Sequence, residues 1–86
     1  AGMLDALWGA FMASGNGEYV RRIISVLENP ASDLLLRSAA RWSLGSNARQ
    51  HSLVHQFCQE EVSRPDISAQ GREELEEILQ KAATAP

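Results

Sequence analysis

The sequence predicts an all-α fold of five helices, arranged as two antiparallel αα-hairpins followed by a C-terminal capping helix. Three observations carry this. Apolar residues recur at helical spacing from the first turn onward, and Ala and Leu outnumber the β-branched residues. No alternating apolar and polar stretch is long enough for a strand, and clusters of Gly, Asn and Pro cut the chain into helix-length segments.

Helix one is expected over about 2–14, where Leu4, Leu7, Trp8 and Phe11 fall at i, i+3, i+4 and i+7. Ser14-Gly15-Asn16-Gly17 is the strongest break, because glycine and asparagine accept the left-handed conformations that close one helix and let the next begin. Helix two, about 18–28, sets Tyr19, Val20, Ile23, Ile24, Val26 and Leu27 opposite Arg21 and Arg22 and ends at Asn29-Pro30. Ser32 and Asp33 cap helix three, which Leu34, Leu35, Leu36, Ala39, Ala40, Trp42 and Leu44 leave apolar nearly all round. It is therefore expected to be the central helix, with Leu35, Leu36 and Trp42 buried and only the Asp33, Arg37, Arg41 row left in water. Gly45-Ser46-Asn47 is expected to end it. A fourth helix over about 48–63 carries Leu53, Val54, Phe57, Cys58 and Val62 inward and stops at Arg64-Pro65-Asp66. The fifth, about 67–83, has a narrow stripe of Leu75, Ile78, Leu79 and Ala82 beside Glu73, Glu74, Glu76 and Glu77, as expected of an end cap.

With 86 residues, 44% apolar and 22% charged, residues 1–86 are expected to form a single helical domain. The net charge of −3 gives none of the basic excess that phosphate backbones require, so no nucleic-acid partner is expected. No apolar run approaches membrane-spanning length and no charged stretch precedes a hydrophobic one, so neither a membrane nor a leader is expected. Charge is uneven along the chain: residues 1–50 hold five Arg against four acids, and residues 51–86 hold three basic residues against seven acids. The acidic end can steer a basic partner or simply keep the surface soluble.

Sliding the chain on itself by 34 residues places Ala6 on Ala40, Trp8 on Trp42 and Val20 on Val54, with Tyr19 on Leu53, Ile23 on Phe57 and Ile24 on Cys58. On these residues, with Leu4, Leu7, Phe11, Gly15, Ile24 and Pro30 on or near its motif, the chain resembles a degenerate tetratricopeptide (TPR) repeat. The resemblance implies stacked hairpins and a protein or peptide partner bound on a shallow surface that includes Asp5, Gly9, Met12, Ala39, Ser43 and Ser46. Trp8 and Val20 depart from that family's small residues, and a small unrelated helical bundle is the alternative. LWGAFMASGN and ARWSLGSNARQH also resemble stretches of small uncharacterised bacterial helical proteins, which implies origin without activity.

Three chemical readings compete with a non-enzymatic interaction module. His51, His55 and Cys58 are spaced so that a helix edge can present three metal ligands, although no zinc-protease glutamate and no CxxC accompany them. The plainer reading makes Cys58 a small buried hydrophobe and the histidines flanking polar tips. As a nucleophile Cys58 has His55 as a candidate base, but Glu60 and Glu61 nearby disfavour a thiolate. Pairs among Glu73, Glu74 and Glu77 lack the apolar setting that makes one carboxyl an acid and another a base. Gly15-Asn16-Gly17 is no phosphate loop, since no Gly-Lys-Ser/Thr follows. No cofactor is expected; a structural accessory domain of a larger bacterial protein is the remaining alternative. Trp8 and Trp42 are expected in the cores of their hairpins.

Overall fold

Five α-helices make up residues 2–84, the part of the chain described by a computed structural model: α1 (Gly2–Ser14), α2 (Gly17–Glu28), α3 (Leu34–Gln50), α4 (Ser52–Val62) and α5 (Ala69–Thr84). Ala1, Ala85 and Pro86, which the single-domain reading includes, lie outside the described residues. No strand occurs among the described residues, and the fold is all-α. The α1–α2 turn forms as the sequence suggests. Gly15 takes φ +71°, its N–H donates to the Phe11 carbonyl at 2.7 Å, and Asn16 Oδ1 caps α2 by accepting from the Glu18 N–H at 3.0 Å.

The central helix is α2, not α3. Val20, Ile23, Ile24, Val26 and Leu27 are buried over a wide arc, and α2 packs against all four other helices. By contrast α3 turns Ala40, Leu44 and Ala48 inward, at i, i+4 and i+8. Its larger residues point the other way: Leu35 is 78% exposed and Trp42 76%, while Leu36 is only partly buried against the core. The expectation that Leu35 and Trp42 are buried is overturned because small alanines let the inner face of α3 approach its neighbours closely. Fit against the neighbouring helices, and not the bulk of the apolar side chains, decided which face turned inward. The Arg37 and Arg41 edge is also turned toward protein, Arg37 donating to the Asn29 carbonyl at 2.8 Å and Arg41 to the Glu74 carboxylate.

Gly45-Ser46-Asn47 does not end α3. None of these residues enters the left-handed region, and the Asn47 side chain donates to the Ser43 carbonyl at 2.8 Å, within the helix. The helix runs on to Gln50. A single extended residue, His51 (φ −131°, ψ 112°), separates it from α4, its N–H donating to Asn47 and its carbonyl accepting from His55. Helix four therefore starts at Ser52 and not near residue 48.

More than a cap, α5 packs on α2, α3 and α4, and its Leu75 and Ile78 belong to the common core with Ile67 just ahead of the helix. Glu73, Glu76 and Glu77 face water, whereas Glu74 accepts from Arg41 and is not solvated as expected.

Arg64 ties the ends of three helices together. One guanidinium nitrogen meets Glu28 of α2 at 2.5 Å and another meets Glu61 of α4 at 2.8 Å, and Glu61 is only 8% exposed. Glu28 also accepts from the Ser68 N–H at 3.4 Å, just before α5. Removing the guanidinium leaves Glu61 buried with only Arg21, 3.7 Å away. An Arg64→Met variant is expected to lose about 2–3 kcal/mol of stability by urea denaturation, below the full buried-pair range because Arg64 is partly open to water. Adding Glu61→Gln should recover part of that loss, and an additive double mutant would count against the coupling.

Candidate functional site

The most open apolar ground in the molecule lies along the outer side of α3. A groove of about 290 Å³ between α1 and α3 is lined by Leu4, Asp5, Trp8, Ala39, Trp42 and Ser43. The two tryptophans related by the 34-residue shift thus meet at one groove, one partly buried and one in the open. The Trp8 indole N–H is buried and has no hydrogen-bond partner among the described residues. On the other side of Trp42 is a cleft of about 400 Å³ between α3 and α5, where Arg41, Gly45, Ser46, Arg49, Glu77 and Lys81 line its wall.

Helical geometry places these groups. On α3, Leu35, Trp42 and Arg49 are seven residues apart and share one face, opposite to the Ala40, Leu44 and Ala48 face that enters the core. Arg41 flanks the cleft and is held by Glu74; Lys81 pairs with Glu77 one turn earlier on α5 at 3.0 Å. The Lys81 hydrogen bond and charge hold the Glu77 carboxyl below its ordinary pKa. Arg49 is exposed and makes no ion pair among the described residues.

Of the six residues expected on a partner surface, Asp5, Ala39 and Ser43 line the α1–α3 groove and Ser46 the adjoining cleft. Gly9 and Met12 are exposed on α1 and line neither. Trp42, Arg49 and Lys81 were not expected as site residues. The seven-residue spacing of Trp42 and Arg49 is visible in the sequence, but only packing brings Lys81 beside them.

The other candidate constellation is not assembled. No group of three His, Cys, Asp or Glu side chains among the described residues is placed to hold a metal ion, His51, His55 and Cys58 included. His51 stacks edge-on against Phe11, with ring centroids 5.5 Å apart, and Cys58 is fully buried. Burial, with a smaller contribution from Glu61, pushes the Cys58 thiol up to about 12.

That shift has a sign that can be measured. The unfolded thiol ionises near 9.0 and the folded one near 12, so the unfolded state loses its proton first and stability falls as pH rises through this window. The stability difference between wild type and Cys58→Ala is expected to narrow by on the order of 1 kcal/mol between pH 8 and pH 10. In native protein at pH 8, Ellman's reagent should react with Cys58 only as fast as the fold opens. Immediate labelling would refute the buried placement.

No helix of the described residues is long and apolar enough to cross a membrane. No protein-family model matches the chain, and comparison with curated proteins and with solved structures finds no significant match.

Proposed function

We propose that the chain is a non-enzymatic helical interaction module that binds a protein partner along the outer side of α3, across the α1–α3 groove and the cleft beside it. The observation that carries this reading is Trp42, 76% exposed between two concave surfaces and accompanied on the same helix by exposed Leu34 and Leu35. An indole is a large, stiff surface whose burial is strongly favourable, and exposed apolar ground of this kind marks interaction sites. Two helical hairpins whose first helices border one groove also suit the tetratricopeptide-like layout, which remains part of the proposal.

Three groups suited to chemistry are committed elsewhere. The Cys58 thiol is sealed and protonated, and Glu28 and Glu61 are occupied by Arg64. The test is site-specific photo-crosslinking in the cells the protein comes from, with a benzophenone side chain replacing Trp42 in one variant and exposed Gln59 on α4 in another. A discrete adduct at position 42 and none at 59 is expected. The same adducts at both positions, or none at 42, would overturn the reading in favour of a structural domain.

A further inference from the structure

The outer face of α3 has a regular pattern. Large side chains stand at Leu35, Trp42 and Arg49, every seventh residue, and small ones at Ser38-Ala39 and Gly45-Ser46 between them. This spacing is that of a helix-docking seam, in which a second helix lays its side chains into the gaps between large ones. From Leu35 to Arg49 the seam is about 21 Å long.

Gly45 is a second, independent observation. It lies inside a 17-residue helix with ordinary negative φ, where glycine costs about 1 kcal/mol relative to alanine. A Cβ at Gly45 would meet nothing within 4 Å, whereas one at Gly17 would strike Phe57 at 2.7 Å and one at Gly71 would meet Glu28 at 2.5 Å. Packing inside the domain accounts for Gly17 and Gly71 but not for Gly45 or for Gly9 of α1, and of these two only Gly45 lies on the seam. On the seam, the missing Cβ leaves room for a close approach from outside.

Charge then selects the occupant. Arg41, Arg49 and Lys81 line the cleft that flanks the seam, and among the described residues Glu77 is the one acid in its wall. This cationic flank belongs to a chain whose net charge is −3. Arg41 and Lys81 already have carboxylate partners, and Arg49 has no ion pair among the described residues. A second copy of α3 suits the seam poorly, because α3 carries Arg37, Arg41 and Arg49 and no acid between Leu34 and Gln50.

Resting on the docking reading above, we infer that the seam takes an amphipathic helix with acidic flanks. Its apolar side chains settle over Ala39 and Gly45 on either side of Trp42, and one of its carboxylates reaches Arg49. The backbones come closest at Gly45, and the acid–guanidinium pair sets the direction in which the helix lies.

The probes are three synthetic helices of about 18 residues, titrated into the full isotope-labelled chain and followed by NMR. One has Leu at its heptad a and d positions and Glu beside them, the second replaces Glu with Lys, and the third keeps Glu but replaces Leu with Ser. The Leu–Glu helix is expected to shift the Leu35, Gly45 and Arg49 amides and the Trp42 indole, and to bind about tenfold or more tightly than the Leu–Lys helix. Arg49→Glu should reverse that preference. Gly45→Leu should abolish binding while raising the melting temperature, so that a folding defect cannot explain the loss. Equal or tighter binding of the Leu–Lys helix would overturn the acidic occupant and leave the docking reading standing. A concentration-dependent dimer in sedimentation that Gly45→Leu dissociates would overturn it in favour of a second copy. Binding that Gly45→Leu leaves intact would overturn the seam itself, and the crosslinking at position 42 decides separately whether this side of the domain binds anything.

Discussion

Replacing Phe11 with alanine is expected to lower the stability of the domain by about 3–5 kcal/mol. Phe11 is 1% exposed and stands edge-on to three other rings, with centroids 6.2 Å from Trp8, 5.5 Å from His51 and 6.0 Å from Phe57. Besides its packing on α2, α1 is held through this cluster to His51 and to Phe57 of α4. A small domain has a net stability of only about 5–10 kcal/mol, so much of it would be lost. Urea denaturation measures the loss, and hydrogen exchange should show the α1 amides losing protection first. A change below about 1 kcal/mol would mean that the cluster closes over the gap or contributes little.

Leu75→Ala is the second large effect, at about 2–5 kcal/mol, because Leu75 has no exposed surface and lies where α5 meets the rest of the core. Its natural control is Trp42→Ala, expected to change stability by less than about 1 kcal/mol despite deleting a far larger side chain. From sequence alone the order is the reverse: Trp42 reads as the core of a central helix, with a cost of about 3–5 kcal/mol on truncation, and Leu75 as part of a narrow stripe on a cap. Denaturation of the two single variants under one set of conditions settles the order. A Trp42→Ala loss as large as that of Leu75→Ala would place the indole inside the fold and remove the basis of the docking surface.

How much of the site is legible in the sequence differs residue by residue. Asp5, Ala39 and Ser43, which the tetratricopeptide resemblance implies, line one groove, and Trp8 and Trp42, paired by the 34-residue shift, line it too. Arg49 is marked only by its spacing from Trp42. Lys81 and the Arg64 network have no sequence signal: Arg64 meets Glu28 across 36 positions, and within its own segment it reads as part of a helix break. The metal spacing of His51, His55 and Cys58 fails for a local reason. His51 is the extended joint between α3 and α4 rather than a member of the helix that carries the other two.

The sequence by itself determines that the chain is all-α, that α1 and α2 form a hairpin around Gly15-Asn16, and that breaks fall at Asn29-Pro30 and Arg64-Pro65-Asp66. Each of these depends on a few consecutive residues: periodicity, a left-handed glycine, a cap, a proline. Only the tertiary structure decides which helix is central and which face of α3 turns inward. That choice depends on the surfaces the other four helices offer. A close-packed interior accepts the side chains that fit the space between helices, so Ala40, Leu44 and Ala48 go inward against α2, α4 and α5 while Leu35 and Trp42 remain outside.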